Sequence, residues 1–596
     1  MNARAIAEAA TIHAFLNCYL RETSAYLVRD SEQVAGDEFD TEYVIECPLS
    51  AHGGHIYAPL AYRSATGRHQ FSLPLYYRPT GGECRTISYV TLVTLLSDEL
   101  SNQRDRSGEQ AELMDRVLDS CRRIERYVEF WDGKEASLYT PTPTFEQAEQ
   151  ALVFGHQLHP TPKSRGGMQP SEEPQYAPEL SAACSLRYFR VDRDLAVQES
   201  VRQESAAEWV KSELRSDPTV SDEFVSEYVD SDDILIPIHP WQAEYLLDQP
   251  DVKQLLANGR LEDLGERGRA FAPTTSVRTL YHPDASFMVK GSLNVKITNS
   301  VRTNKRPELN RGIAVAELFE SELGAIVAER FPDFSVIHDP AYLTVGTDDG
   351  HASGFEVILR ENPFPRGRDE SVLPVVSLCQ DNRFGGESQL EGIIRSLAAR
   401  EDRPVDEVSV DWFTRYLELV ARPPLWLYLC HGIAVEAHQQ NTVIRLDDGY
   451  PDEVYHRDNQ GYYFADSMAE HVERFLPNLD ARTGTVYPDH VADERFCYQL
   501  LVNNVFGVIN AFGTAGLVSE RKLLGTLRSE LETVSEWDKP WSSLLTRALS
   551  ESTVPSKANL LTRFHDLDEM ADEFENQSVY VDIDNPLVTE RAEVVR

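Results

Sequence analysis

Basic and hydroxyl-bearing side chains are concentrated in one segment of an otherwise acidic chain, residues 274–304. This segment reads TTSVRTLYHPDASFMVKGSLNVKITNSVRTN and contains a single acidic residue, Asp284. The whole chain has 97 Asp and Glu against 57 Lys and Arg, and lysine is scarce outside the segment. Arginine and lysine neutralise the charge of phosphates and carboxylates, and hydroxyl groups add neutral donors. The segment therefore predicts a binding site for a small anion, with a solvated strand face as the alternative.

The spacing within this segment divides it into two parts. In the first part, Ser276, Arg278 and Thr279 form a tight cluster, and a hairpin would bring Lys290 back beside Arg278. In the second part, the two-residue period of a strand places four polar side chains on one face: Lys296, Thr298, Ser300 and Arg302. The chain has no GxxxxGKS, GxxxxGKT or GxGxxG sequence, which argues against a P-loop or Rossmann nucleotide site.

A second group of polar residues follows a helix rich in Leu and Trp, in the sequence HGIAVEAHQQNTVIRL at 431–446. We expect this helix to end near Glu436 and a strand to begin at Thr442. Glu436 and Asn441 offer the hard oxygen ligands that Mg²⁺ prefers, and a polar helix cap is the alternative. Asp458, before the turn in HRDNQG, is a candidate for the second Mg²⁺ carboxylate. For His431, a buried structural role and a functional role are both open.

Two further motifs contain histidine. The sequence GHQLHPTPKSRGG at 155–167 places His156, His159, Lys163 and Arg165 close together. For Lys163 and Arg165, a role at the nucleotide or substrate and a structural role both remain open. In IPIHPWQ at 236–242, domain packing is the favoured role of the histidine and the tryptophan.

Bulk properties limit the class of protein. A length of 596 residues predicts two to four domains, and 41% hydrophobic residues predict a globular chain. The pI near 4.8 argues against nucleic-acid binding. The eight cysteines form no CxxC pair and suggest reduced thiols in the cytoplasm. No apolar run of about 18 residues predicts a membrane span. Acidic residues spread along the whole chain favour a halophilic source.

The distribution of patterns predicts an α+β protein. The first 150 residues mix helices and strands, and Ile234–Ile238 and the segment 270–301 have strand patterns. Residues after about 380 have mostly helical periodicity, interrupted by a short strand at 442–446.

These motifs together resemble the siderophore synthetases that work without a peptide-synthetase assembly line, the aerobactin synthetase (IucA/IucC) family. The motifs that carry the resemblance occur in family order: GHQLHPTPKSRGG, IPIHPWQ, TTSVRT with MVKGSLNVKITNSVRTN, HGIAVEAHQQN and HRDNQG. The family fold implies a cupped hand of three domains. These are a thumb at 1–165, a fingers domain at 166–378 with the anion-binding strands, and a mostly helical palm at 379–596.

The resemblance also implies residue roles in a site between fingers and palm that uses ATP and Mg²⁺. The implied ATP-binding residues are Ser276, Arg278, Thr279, Lys290, His438, Asn441 and Lys163. The implied metal ligands are Glu436 and Asp458. The implied substrate-binding residues are Thr298, Arg302, His438 and Gln440. The residues implied in catalysis are His438, Arg302 and Lys290.

The activity that this resemblance implies is an AMP-forming ligation. A carboxylate of citrate, or of a citrate monoamide, attacks the α-phosphate of ATP to give an acyl adenylate and pyrophosphate. An amine or hydroxylamine, such as a polyamine or a hydroxamate precursor, then captures the acyl group. The implied partners are therefore small molecules, without nucleic acid or membrane, and a homodimer is one option for the assembly. Two alternatives stay open: a kinase that forms ADP, and a non-catalytic binder of citrate or an iron chelate.

Overall fold

The computed structural model describes residues 2–34, 39–104, 110–347, 351–567 and 578–588, and the fold is α+β as predicted. The N-terminal part is an antiparallel sheet covered by three helices. The helices are Ala3–Thr23, Tyr89–Arg104 and Gln110–Trp131. The strands are Leu27–Asp30, Tyr43–Pro48, Gly54–Tyr62, Gln70–Phe71, Leu75–Pro79 and Arg85–Ile87.

The central part contains an eight-stranded antiparallel sheet that positions the first half of the basic segment. In spatial order its strands are Ile234–Ile238, Cys184–Val191, Leu261–Pro273, Thr279–Tyr281, Phe287–Gly291, Val357–Glu361, Ala341–Val345 and Ala196–Ser200. The helices of this part lie between its strands in the sequence, and they are Ala206–Ser216, Asp222–Phe224, Pro240–Leu247 and Pro250–Ala257. The predicted hairpin is present, because Thr279 pairs with Lys290 across neighbouring strands.

The second half of the basic segment is a hairpin and not one continuous strand. Leu293–Ile297 pairs with Ser300–Arg302, and Arg165–Gly166 adds a third strand. Thr298 at the turn has φ 55°, a left-handed conformation that ends the two-residue alternation of the strand. The prediction of one polar face from Lys296 to Arg302 is therefore wrong.

The C-terminal part is mostly helical. Its longer helices are Gln389–Glu401, Val405–Tyr416, Arg422–His431, Asp489–Phe496, Phe506–Thr514, Glu520–Thr533 and Leu544–Ser550. Shorter helices are Val375–Leu378, Ala469–Val472, Leu479–Thr483 and Asn559–Phe564, while the helix Phe145–Gln150 comes before the central sheet in the chain. One sheet has the strands Phe334–Val336, Tyr450–His456, Thr442–Asp447 and Val372–Pro374. Smaller sheets contain Ile433–Ala434, Tyr463–Ala465, Val486–Tyr487, Thr553–Lys557 and Tyr580–Asp584.

The helix before the second polar group ends five residues earlier than predicted. It ends at His431, because Gly432 takes φ 70° and its amide donates to the Tyr428 carbonyl at 2.7 Å. A side chain at Gly432 would also meet Met468. Glu436 therefore lies in a loop after the short strand Ile433–Ala434, and not at a helix end.

Two cores cross the predicted domain boundaries, which themselves stay a prediction. The helices Arg306–Glu320 and Glu322–Arg330 pack into the hydrophobic core of the C-terminal part. Leu561 and Phe564, near the other end of the chain, pack with Leu16 in the N-terminal core. The N-terminal part is thus completed by residues from the C-terminus.

The cysteines are mostly buried, as predicted, and their reduced state stays a prediction. All eight are free thiols, and six of them are buried. In the described parts of the chain, no helix has the length and apolar character needed to cross a bilayer.

The packing of the C-terminal helix into the N-terminal core can be tested by Leu561→Ala. Leu561 is 2% exposed, so we expect the variant to lose about 2–5 kcal/mol in the free energy of unfolding, measured with urea. Leu27→Ala is the matched control, since Leu27 is 50% exposed and its loss costs about 0.5 kcal/mol or less. Equal effects of the two substitutions would contradict this packing.

Candidate functional site

The predicted site residues lie around one cavity of about 500 Å³, here called the cleft. Its walls come from the central sheet, the hairpin at 293–302, the loop 435–441 and the loop 457–461. All twelve predicted residues line it: Lys163, Ser276, Arg278, Thr279, Lys290, Thr298, Arg302, Glu436, His438, Gln440, Asn441 and Asp458. The structure therefore brings together side chains that are almost 300 residues apart in sequence.

The cleft has the opposite charge to the chain as a whole. Its acidic lining residues are Glu308, Glu436 and Asp458. Its twelve basic lining residues are Arg21, Arg68, Lys163, Arg278, Lys290, Arg302, Lys305, Arg311, Arg360, Arg457, Arg495 and Lys557. Because the chain carries a net charge of −40, this concentration makes the cleft the place where anionic ligands are attracted.

Lys290 joins the central sheet to the loop 457–461. Its Nζ lies 2.6 Å from Oδ1 of Asp458 and 2.7 Å from Oε1 of Gln460. Burial lowers the pKa of Lys290 to about 8, against the opposing effect of Asp458. Burial acts to raise the pKa of Asp458, but Lys290 and Arg360 outweigh it and keep the pKa below its ordinary value. The pair is therefore a lysine ammonium and a carboxylate ion in contact.

Arg278 is held by amide and carbonyl groups and not by an acid. Its Nη1 donates to Oδ1 of Asn304 at 2.8 Å and to the Arg302 carbonyl at 3.3 Å. Burial, and secondarily the charge of Arg302, lowers the pKa of Arg278. Among the described residues, neither Arg278 nor Arg302 forms an ion pair with a carboxylate. A buried positive charge without an acidic partner favours an anionic ligand.

Thr298 in the turn and Arg302 on the second strand of the hairpin are in contact. Nη2 of Arg302 donates to Oγ1 of Thr298 at 2.7 Å and to the Ile297 carbonyl at 3.1 Å. The left-handed turn at Thr298 thus brings together the two residues that the strand pattern placed on one face. A hydroxyl beside a guanidinium suits a carboxylate oxygen.

Ser276 and Gln440 both line the cleft, and Gln440 contacts Thr275, the residue before Ser276. Oγ of Ser276 accepts from the backbone of Thr279 at 3.2 Å and stabilises the tight turn there. Nε2 of Gln440 donates to Oγ1 of Thr275 at 3.2 Å. The backbone amide of Thr275 donates to Glu149 at 2.8 Å, and Glu149 forms a buried ion pair with Arg457.

The loop 435–441 positions Glu436, His438 and Asn441 together. Nδ2 of Asn441 donates to Oε2 of Glu436 at 3.1 Å, and its backbone amide donates to Nδ1 of His438 at 3.3 Å. Since Nδ1 accepts, neutral His438 carries its proton on Nε2, which lies 3.6 Å from Oε1 of Glu436. A Cβ at Gly461 would lie 2.0 Å from Oε2 of Glu436, so glycine is required there.

Lys163 and Arg165 form a buried ion cluster with Glu179. Nζ of Lys163 and Nη2 of Arg165 both donate to the carboxylate of Glu179, the latter at 2.6 and 2.7 Å. The structural role that the sequence left open is therefore filled for both residues. The ATP-binding role of Lys163 stays a prediction, and its ammonium already has an internal partner.

The remaining histidines fall in different places. His156 contacts Asn503 and lines the cleft, and burial lowers its pKa to about 3. His159 contacts Asn299 at the turn of the hairpin, at 3.2 Å. His431 does not line the cleft and contacts His471.

Three residues that contact the predicted site were missed. Asn304 and Gln460 lie inside the motifs named above, two residues after Arg302 and Asp458. This proximity in sequence is the signal that could have identified them. Arg360, whose Nη2 lies 3.9 Å from Oδ1 of Asp458, comes from a strand without any polar motif.

Comparison with known proteins decides the family. A sequence profile of the IucA / IucC family matches residues 144–380, and a profile described as ferric iron reductase FhuF-like transporter matches 410–572. The chain is 43% identical to the spermidine-citrate ligase of Bacillus anthracis over 604 residues, which cover 99% of each chain. The chain belongs to the IucA/IucC family. It is therefore an acid–amine ligase of siderophore biosynthesis, as the motifs predicted.

Further relatives agree with this assignment. The rhizobactin siderophore biosynthesis protein RhbC of Rhizobium meliloti (strain 1021) is 37% identical over 97% of each chain. The structure of ATP-bound aerobactin synthetase IucA from Klebsiella pneumoniae superposes with a TM-score of 0.87 at 28% identity, over 97% of this chain and 99% of that chain. The predicted α+β, multidomain fold and the use of ATP are thus confirmed.

The buried Glu179 cluster predicts a pH-dependent contribution to stability. Burial acts to raise the pKa of Glu179, but Arg165 and Lys163 outweigh it and lower the pKa to about 2 from the ordinary 4.5. We expect Glu179→Gln to lose about 3 kcal/mol in unfolding free energy at pH 7. Because the folded pKa is depressed, the difference from wild type should shrink as the pH falls from 4.5 toward 2, as measured with urea.

Glu262→Gln is the control for this prediction. Glu262 pairs with Arg190 at 2.8 Å, but its side chain is 45% exposed, so the loss should be about 1 kcal/mol or less. A Glu179→Gln variant as stable as this control would contradict the role of the cluster.

Proposed function

We propose that this ligase activates a carboxylate of citrate, or of a citrate monoamide, with ATP and transfers the acyl group to an amine. The carboxylate displaces pyrophosphate from the α-phosphate to give an acyl adenylate. The amine nitrogen then attacks the acyl carbon, loses a proton and releases AMP. The observation that carries the proposal is that one cleft is lined both by Lys290 and Arg278 and by Arg302, whose Nη2 donates to Oγ1 of Thr298.

The two groups of cations in the cleft would offset the repulsion between the two anionic substrates of the first step. ATP and citrate are both anions at neutral pH, and they repel each other in water. Arg278 and Lys290 would bind the phosphates, while Arg302 and Thr298 would orient the carboxylate. Buried cations fixed by hydrogen bonds before the substrates bind stabilise the charge that develops at the α-phosphate. His438, with its proton on Nε2, would donate to the oxygens of the α-phosphate.

Mg²⁺ fits this cleft as a partner of the ATP phosphates. In the described parts of the chain, no three His, Cys, Asp or Glu residues form a metal cluster. Mg²⁺ commonly uses only one or two protein carboxylates and completes its ligands with water and phosphate oxygens. Glu436 and Asp458 would supply those carboxylates. When bound, Mg²⁺ would neutralise phosphate charge and favour departure of pyrophosphate.

The choice of citrate and of an amine follows the relatives. The 43%-identical relative is named for spermidine and citrate, and an N(2)-citryl-N(6)-acetyl-N(6)-hydroxylysine synthase of Escherichia coli is 30% identical over 88% of each chain. We therefore propose citrate as the acid and a polyamine or an N-hydroxylated diamine as the acceptor. The decisive experiment is a pyrophosphate-release screen of citrate against 2-oxoglutarate, followed by an amine panel. Release of ADP in place of AMP and pyrophosphate would support a kinase.

Lys290→Ala should remove adenylation. The substitution deletes the ammonium proposed for the phosphates, so we expect citrate-dependent pyrophosphate release to fall about 100- to 1,000-fold. Lys253→Ala is the control, because Lys253 forms an exposed pair with Asp248 far from the cleft lining. Near-normal release by the Lys290 variant, with the control unchanged, would exclude the phosphate role.

Arg302→Ala should weaken use of the carboxylate more than use of ATP. We expect the KM for citrate to rise about 10- to 100-fold, since a charge-assisted hydrogen bond to the carboxylate is lost. The KM for ATP should change about twofold or less. A variant with unchanged citrate dependence would remove Arg302 from the substrate site.

A further inference from the structure

The hairpin at 293–302 is held from its outer side by the C-terminal part of the chain. Lys296 lies on this hairpin opposite Val301, and its side chain does not line the cleft. Its Nζ lies 2.7 Å from Oδ1 of Asp566, in the turn after the helix Asn559–Phe564. The ion pair thus joins segments that are 270 residues apart in sequence.

Asp566 belongs to a network that fixes its position. Nη1 of Arg563 lies 3.0 Å from the same oxygen of Asp566, and its Nη2 contacts Glu112 on the helix Gln110–Trp131. Glu112 also lies 3.9 Å from Nζ of Lys296. Arg563 is fully buried, and the turn is closed by the Asp566 amide donating to the Arg563 carbonyl at 3.1 Å. Asp566, the partner of Lys296, is therefore held by both the guanidinium and the carbonyl of Arg563.

The turn of the hairpin is held from the other direction. Nε2 of His159 lies 3.2 Å from Oδ1 of Asn299, next to Thr298. Nδ1 of His159 accepts from the Thr161 amide at 3.1 Å, so the proton of neutral His159 is on Nε2 and donates to Asn299. His159 thus fixes the hairpin at its turn, and Asp566 fixes it along the strand that contains Lys296.

The conformation of the hairpin controls the reach of Arg302. Nη2 of Arg302 is oriented by the Ile297 carbonyl, one residue after Lys296, and by Oγ1 of Thr298. A shift of the strand at Lys296 therefore moves both acceptors that orient the guanidinium. Displacements of about 1 Å in a positioning group are enough to lower binding and rate.

We propose that Lys296, through its ion pair with Asp566, is a positioning residue for the site that binds the substrate carboxylate. It acts on Thr298 and Arg302 through the strand and makes no contact with the substrate. The identity of the ligand as a carboxylate substrate rests on the function proposed above. The role is distinct from that of Lys290, which lines the cleft itself.

The test compares steady-state kinetics of Lys296→Met, Lys296→Arg, Asp566→Asn and the double variant Lys296→Met with Asp566→Asn. We expect Lys296→Met to raise the KM for citrate about three- to tenfold while the KM for ATP stays within about twofold. Lys296→Arg should restore most of the citrate affinity, since it keeps the charge. The effect of the double variant should be smaller than the sum of the two single effects, because each single variant already breaks the contact between Lys296 and Asp566.

Lys253→Met is the matched control, since it removes a lysine from an exposed ion pair with Asp248. Thermal unfolding with and without citrate gives a second readout, in which Lys296→Met should lose part of the citrate-induced shift. An unchanged KM for citrate, or additive effects in the double variant, would overturn the proposal. So would an equal loss in citrate and ATP kinetics that follows a fall in the melting temperature.

Failure of the proposed function gives a different result. If wild-type protein releases no pyrophosphate with citrate, the function proposed above is wrong. If wild type is active with citrate but Lys296→Met has wild-type citrate kinetics, only the positioning role is wrong.

Discussion

The contact between Lys290 and Asp458 is the interaction on which the site depends. Lys290 belongs to the central sheet and Asp458 to a loop of the C-terminal part, and Nζ and Oδ1 are 2.6 Å apart. The Lys290 side chain is buried, and its charge is stabilised there by the carboxylate of Asp458, which is 25% exposed. Their contact therefore fixes how the sheet faces the loops at 435–441 and 457–461. Gln460 and Asn304 then complete the hydrogen bonds that orient Arg278.

The basic lining of the cleft contrasts with the negative net charge of the whole protein. Acidic residues dominate the chain, while twelve basic residues surround a cavity of about 500 Å³. Some of these cations are neutralised internally, as Lys163 is by Glu179 and Arg360 is by Asp339. Arg278 and Arg302 are held by neutral oxygens instead. Lys163 and Arg360 therefore hold the walls, whereas the charges of Arg278 and Arg302 have no carboxylate partner among the described residues.

Sequence patterns identified the site residues better than they identified local conformation. Short polar motifs and the family resemblance together indicated the twelve predicted residues that line the cleft. The six in the segment 274–304 stood out by composition alone, as a basic cluster in an acidic chain. The strand period failed at Thr298, where one left-handed residue makes a turn that no periodic pattern encodes. The predicted helix also extended beyond Gly432, because the left-handed conformation of that glycine is not encoded in a periodic pattern. Arg360 and the contact of Lys296 with Asp566 depend on tertiary packing, so no local signal existed for them.

The packing of the helix Asn559–Phe564 into the N-terminal core affects how the protein is made. Leu560, Leu561 and Phe564 fill positions beside Phe15 and Leu16, so the N-terminal hydrophobic core lacks part of its side chains until residue 564 has been synthesised. On the ribosome, the N-terminal part therefore waits with exposed apolar surface while the central sheet and the helices are translated. A chaperone that binds apolar segments would have its longest opportunity at the beginning of this chain.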